Sequence, residues 1–316
     1  MFAYAMRRVL VSVPILIIAT FVVFMMVSAS GDPLSELRTR NPPPPPRTFQ
    51  LEAHRLHLDE PLLTRYWHYI TGVILHFDLG TSIQYREPVT TLISQRIGVT
   101  VDLVLYAAVL IILFGVGLGL LAGLRRGAID NTVVTVSTVL AAIPSFVAAI
   151  VLISVFAVRL GWFPALGSGS GFGDTLKHLT LPAIALAASA VAIVVRVTRV
   201  TVRSELGQEH VQTAVSRGIP WRLVVRRHVL RNAAIPITTV LGITITSLFA
   251  LSAVVEQAFN LNGIGAALVQ AALNKDFGVV QGISLLLVGA FVIANAVVDL
   301  LYAVLDPRVA VGAKAS

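Results

Sequence analysis

The sequence predicts an all-α integral membrane protein with six transmembrane helices and a large extracytoplasmic segment after the first. Three observations lead there. Hydrophobic residues fill 56% of the 316 positions and charged ones 13%, about half the roughly 25% charged share of a soluble domain. Six stretches run uncharged for long enough to cross a hydrocarbon core, which takes about 20 apolar residues at a rise of ~1.5 Å each. Arginines gather in alternate connections, which gives the net charge of +8 a topological meaning.

The first stretch, 9–29, follows Arg7 and Arg8. It exceeds the ~7 to 15 residue apolar core of a cleaved signal, so a retained anchor is expected. Residues 1–29 are thus a tail and the first helix, and residues 30–98 an extracytoplasmic segment with seven basic and seven acidic residues. In "SGDPLSELRTRNPPPPPRTFQ" the proline run 42–46 is expected to adopt polyproline II, a stiff spacer. "LEAHRLHLDEPLLTRYWHYITGVIL" has mixed helical spacing broken at Pro61, which predicts one or two short helices at the membrane surface. A turn at Gly80 and a helix start after Pro88 complete the segment. His54, His57, His68 and His76 match no metal-ligand spacing, so no metal is expected. Without cysteine, disulfides and thiolate chemistry are excluded.

Residues 99–306 hold the other five spans. The second, 103–124, carries Gly115, Gly119 and Gly123 on one face, a seam for close helix packing. It is no phosphate loop, because it lacks the Lys and Ser/Thr of one. The third, 131–158, contains Pro144. The fourth, 179–195, contains Pro182 and extends a little past Arg196, whose long side chain snorkels. The fifth is 232–255, with Pro236, and the sixth 277–298. These prolines mark kinks, static or moving. Between the third and fourth spans "RLGWFPALGSGSGFGDTLKH" lies outside, with Trp162 and Phe163 placed at the headgroups. Its "GSGSG" sets serine at the wrong offsets for a hydrolase elbow.

Arg7 and Arg8, Arg125 and Arg126, and eight arginines between the fourth and fifth spans place those connections, both termini and the tail 307–316 in the cytoplasm. These cations lie beside hydrocarbon spans, so membrane lipid and not nucleic acid is the expected partner. An ion-coupled transporter or channel places ionisable groups near the bilayer midplane. Here the span cores are uncharged, and Asp102, Glu256 and Asp299 lie at or near span ends, where a structural role is expected for Glu256 and Asp299. An intramembrane enzyme needs a nucleophile and base, and the nearest candidate, His178, heads the fourth span as an interfacial residue. No catalytic residue is therefore expected.

The connection 203–232 contains "QTAVSRGIPWRLVVRRHVLRN". It reads as two short helices, 204–216 and a second begun after Pro220. In the second, Trp221, Val224, Val225 and His228 form an apolar stripe opposite Arg222, Arg226, Arg227 and Arg231. Such a helix suits either anionic lipid or a soluble protein.

Here the chain resembles the permease subunits of ABC importers, whose cytoplasmic motif is Glu-Ala-Ala, three residues, Gly, nine residues, Ile-x-Leu-Pro. Gln212, Thr213 and Ala214, then Gly218, then His228-x-Leu230-Arg231 keep that spacing, and "HVLRNAAIP" is similar to the dipeptide and oligopeptide branch. "LDEPLLTRYWHYI", "DLGTS", "LTLPAIAL", "VVEQAFNLNGIGAAL" and "VVDLLYAVLDPRV" follow that branch in order, over about residues 5–309. His57 and Phe77 depart from glycines usual there, and the five-proline run looks like an insertion. The resemblance implies a type I importer permease, non-catalytic, in a bacterial cytoplasmic membrane. It implies a homologous second permease, two cytoplasmic ATPase subunits or domains that hold ATP and magnesium, and an extracytoplasmic substrate-binding protein. Short peptides are the implied substrate, with nickel chelates, glutathione or haem as alternatives. The implied ATPase-coupling loop comprises Glu209, Gln212, Thr213, Ala214, Gly218, Trp221, His228 and Arg231, with Gly218 permitting close approach. This chain has no nucleotide-binding motif, so it is expected to hold no cofactor itself.

Overall fold

The computed structural model describes residues 2–31, 34, 45–55 and 58–305. Among them there is no β-strand, only an isolated bridge between Thr81 and Pro88. The helices are α1 (Phe2–Ala29), α2 (Pro46–Arg55), α3 (Leu62–His76), α4 (Val89–Leu124), α5 (Ala128–Ala142), α6 (Ser145–Arg159), α7 (Phe172–Leu206), α8 (Glu209–Ser216), α9 (Trp221–Ala258), α10 (Ile264–Leu273) and α11 (Phe277–Leu305).

Each expected apolar stretch but the third lies within helix. Length and composition qualify four unbroken helices to cross a membrane, α4, α7, α9 and α11, and five if α5 and α6 count as one broken span. α1 has 28 residues, and its described apolar part is Val13–Ala29. The expected third span is not a rod: α5 and α6 meet at 99°. Pro144 lacks an N–H and drives Ile143 to extended backbone (φ −89°, ψ 116°), which ends α5. Pro182 and Pro236, by contrast, sit inside helices that continue through them. The fourth span is also longer than its uncharged stretch, because α7 has 35 residues and carries the arginines on past the apolar part.

α7 is the hub. It buries 67% of its most apolar window, against 22% for α11 at the periphery. Leu103, Val104 and Ala107 of α4, Leu186, Ala190 and Val194 of α7, and Leu248 and Val255 of α9 share one core. The glycine seam of α4 meets α7 as expected. A Cβ on Gly119 would stand 2.5 Å from Thr198 Cβ and 2.9 Å from the Val195 carbonyl oxygen, and Gly115 and Gly123 would meet Val194 and Val202 at 2.9 Å. Three glycines thus receive three side chains at matched four-residue spacing, the close approach on which helix association in lipid depends. Exposed Ile18, Leu113, Val139 and Val158 face outward, as suits a surface bathed in hydrocarbon.

α2 and α3 are the short helices expected outside, and Pro61 opens α3. Most of the proline run lies outside the described residues, and Pro46 opens α2. α3 rests on the C-terminal half of α1: the Tyr66 hydroxyl donates to the Ile17 carbonyl at 3.1 Å, and its ring lies 5.1 Å from that of Phe21. α4 begins after Pro88 as expected. The loop before it is pinned by the buried Asp276, whose carboxylate accepts from Ser82 Oγ at 2.5 Å and from the Gln84 N–H at 3.2 Å.

Glu256 has the structural role expected of it. Fully buried, it accepts from Thr100 Oγ1 at 2.8 Å and from the Ala266 N–H at 2.9 Å, while Thr100 Oγ1 accepts from the Ile264 N–H at 2.9 Å. Those N–H groups belong to the first turn of α10, which has no intrahelical acceptor for them. The side chain of Asp299, like all of His57, lies outside what is described. His178 Nδ1 stands 2.9 Å from the Asp174 carbonyl oxygen within the first turns of α7. Among the described residues no three metal-binding side chains come together.

Candidate coupling site

α7 carries the chain to Leu206, so 204–216 is not one helix: Gly207 and Gln208 turn the chain and α8 begins at Glu209. Gln208 enters with extended backbone (ψ 146°), and Gln212 Nε2 donates back to the Gly207 carbonyl at 3.2 Å. The eight residues of α8 are too few to hold a helix in water alone, where about 12 to 15 are needed. Packing supplies the rest. Val211 and Ala214, 2% and 4% exposed, enter a cluster with Val202 of α7 and Val224, Val229 and Ala233 of α9.

That packing sorts the expected site residues. Glu209, Gln212 and Thr213 are exposed and, with Ser216 and Arg217, line a shallow open concavity. Ala214 faces the other way, so it anchors α8 instead of meeting a partner. At the C-terminal end Gly218 adopts φ +73°, its N–H donates to the Val215 carbonyl at 2.9 Å, and the Ile219 N–H donates to the Ala214 carbonyl at 3.2 Å. This is a left-handed helix stop, the conformation glycine adopts without steric cost. A Cβ there would meet nothing within 4 Å. Within this chain, therefore, the glycine serves backbone conformation and not close approach.

The second short helix is instead the first turns of α9, which runs 38 residues from Trp221. A π turn over Val225–Val229 inserts one residue into the helical repeat. Val224 and Val229, five apart and both 0% exposed, therefore share the inward face, whereas Trp221 is 54% exposed. The expected stripe of Trp221, Val224, Val225 and His228 does not hold. His228 is half-buried with its ring 6.2 Å from that of His210, and Arg231 is exposed with Arg222, Arg226 and Arg227. Asn232 Nδ2 lies 3.2 Å from His210 Nε2 and donates to Glu205 Oε2 at 3.2 Å, which ties α9 to the end of α7.

One tie had no sequence signal. Asp130, buried near the start of α5, accepts a two-pronged contact from Arg199, with Nη2 to Oδ2 at 2.9 Å and Nε on Oδ1. Arg203 Nη2 reaches Oδ2 at 2.7 Å and the Ala122 carbonyl of α4 at 3.2 Å. Paired, planar Arg–carboxylate contacts are strong and directional. The end of α4, the start of α5 and the last turns of α7 are thereby joined just before α8 departs.

Residues 115–311 match the protein family described as "Binding-protein-dependent transport system inner membrane component", and residues 1–104 match its N-terminal counterpart. The glutathione transport system permease protein GsiC of Escherichia coli O6:H1 is 34% identical over 311 residues, spanning 98% of this chain and 99% of its own. GsiC of Salmonella typhi gives the same figures, 34% over 311 residues. Among solved structures, an inward-facing form of the MetNI methionine ABC transporter superposes with a TM-score of 0.58 at 17% identity, over 68% of this chain and 96% of that one. A second inward-facing form gives 0.55 at 17% identity, over 69% and 97%. The MetNI likeness shows the fold alone.

Proposed function

The chain belongs to the family of binding-protein-dependent transport system inner-membrane components, and from that premise we propose that it forms half of the pathway by which an ATP-driven importer takes up short peptides. As a member it is the non-catalytic permease subunit of an ABC importer, with a type I permease fold, and a multi-pass protein of the bacterial inner membrane. The family works with an ATPase and an external binding protein. For this chain the finer assembly is a second, homologous permease, two cytoplasmic ATPase subunits or domains that hold ATP and magnesium, and an extracytoplasmic substrate-binding protein. Both termini then lie in the cytoplasm, on the side of the arginine-rich connection. A substrate of glutathione's size fits the likeness to GsiC, named as a glutathione transport system permease protein.

The observation that carries this reading is the two-sidedness of α8. Its apolar side is held by α7 and α9, while Glu209, Gln212 and Thr213 stand exposed for a partner. A helix seated in a cleft moves as the cleft closes, and the Asp130 tie spreads that movement into the bundle. Ion coupling has less support: both oxygens of Glu256 are engaged, one with Thr100 and one with the Ala266 N–H. The test is uptake of a labelled short peptide by proteoliposomes carrying the assembled transporter and its binding protein. Uptake that needs ATP and survives a protonophore is expected. Uptake driven by a proton gradient without ATP refutes it.

A further inference from the structure

Between α4 and the first turns of α7, at the end of α7 away from α8, lies a half-open cavity of about 400 Å³. That volume falls in the ~300–1,000 Å³ range of small-molecule sites. Leu105, Phe172 and Leu176, 59%, 87% and 43% exposed, give it apolar walls, and Asp102 is the one charged residue among those that line it. Asp102 is exposed and forms no hydrogen bond or ion pair with another described residue. Tyr106, four residues on, lines the cavity from the same face of α4. Thr180 Oγ1 donates its proton to the Leu176 carbonyl at 2.7 Å, so the Tyr106 hydroxyl, 3.2 Å from it, donates to Thr180. Of the two polar groups on the α4 wall, one is a carboxylate without a partner and the other can only accept.

We propose that this cavity is the outer mouth of the substrate pathway and that Asp102 takes the free α-ammonium of the entering peptide. This rests on the peptide-uptake reading and on the orientation that goes with it. At ~1.5 Å per residue, α4 from Asp102 to Leu124 measures about 33 Å, close to a hydrocarbon core of ~30 Å. With Arg125 at the inner surface, Asp102 stands at the outer one, where a delivered substrate enters. A carboxylate and an acceptor-only phenol match a group with several N–H donors and no acceptor, which in a short peptide is the terminal ammonium. The leucine and phenylalanine walls suit the apolar side chain of the same peptide residue. A blocked amino terminus would leave the carboxylate without its cation.

The test uses the assembled transporter carrying Leu105→Cys, in a chain that has no cysteine of its own. A small cationic thiol reagent should alkylate position 105 at least tenfold faster than an anionic one of equal size, and Asp102→Asn should remove most of that preference. Excess leucyl-alanine should slow the cationic reagent at least threefold, and N-acetyl-leucyl-alanine should not. In proteoliposomes supplied with the binding protein, uptake of labelled leucyl-alanine should fall at least tenfold with Asp102→Asn and recover with Asp102→Glu, at an unchanged thermal midpoint. Equal protection by both peptides, which marks a site blind to the ammonium, overturns the proposal. So does protection by neither, which marks a lipid-facing cavity, an unreactive position 105, which marks a face covered by the second permease, or undiminished uptake by Asp102→Asn. Alkylation is read without ATP or binding protein, so it judges the cavity even where uptake proves not to need ATP, the result that refutes the transport reading instead.

Discussion

Substitution at Gly218 separates strain within the chain from contact with a partner. At φ +73° an L-residue other than Asn carries a penalty of about 1–2 kcal/mol. A Cβ there meets nothing within 4 Å, so the open space makes the penalty independent of side-chain size in the chain alone. Gly218→Ala and Gly218→Leu should therefore lower the thermal midpoint of the purified chain equally, and Gly218→Asn should lower it less. If the end of α8 seats in an ATPase cleft, size begins to matter once the transporter is assembled. ATP-driven uptake in proteoliposomes should then be at least tenfold lower for Gly218→Leu than for Gly218→Ala, which is about 1.4 kcal/mol of lost docking. Membrane insertion and basal ATP hydrolysis should persist in both. Equal uptake by the two variants refutes the reasoning, because the backbone alone would then account for the glycine.

Two further outcomes follow from the packing. Gly119→Ala forces a Cβ against Thr198 Cβ and the Val195 carbonyl, neither of which is the flexible end of a side chain, and should destabilise the chain by about 1–3 kcal/mol. Gly117→Ala, which meets nothing within 4 Å, should be neutral or slightly stabilising, and equal thermal midpoints would refute the seam. Glu256→Ala strands the Thr100 hydroxyl and the Ala266 N–H, at about 1–3 kcal/mol each, whereas Glu256→Gln keeps one acceptor and should cost less. Thermal midpoints in detergent check the order, and a harmless Glu256→Ala would remove the capping role.

Much of the fold was legible because its signals are local. Pro88 and Pro61 set helix starts, the four-residue glycine spacing announced a seam, and uncharged length marked the apolar stretches. The failures have physical causes. Helical periodicity assumes a constant turn, so the π turn over Val225–Val229 moved Trp221 off the face assigned to it. Pro144 looks like Pro182 and Pro236 in sequence, yet only Pro144 breaks its helix. A charge shows its sign but not its partner, so Arg199 and Arg203 read as topology markers while Asp130, 69 residues away from Arg199, completed a tie. Asp276 went unremarked for the same reason, since the loop it organises lies about 190 residues earlier. At the coupling site the helix expected over 204–216 overran the turn at Gly207 and Gln208, and only the packing showed that Ala214 points inward.

The absence of cysteine permits one decisive measurement. Gln212→Cys and Thr213→Cys on the exposed side of α8, with Ser168→Cys in the glycine-rich loop after α6 as control, are each treated with a short bifunctional thiol reagent in the assembled transporter. Cross-links from positions 212 and 213 to the ATPase, responsive to ATP, with none from position 168, are the predicted result. Positions 212 and 213 that react only with lipid-borne or soluble reagents and never reach an ATPase would contradict it.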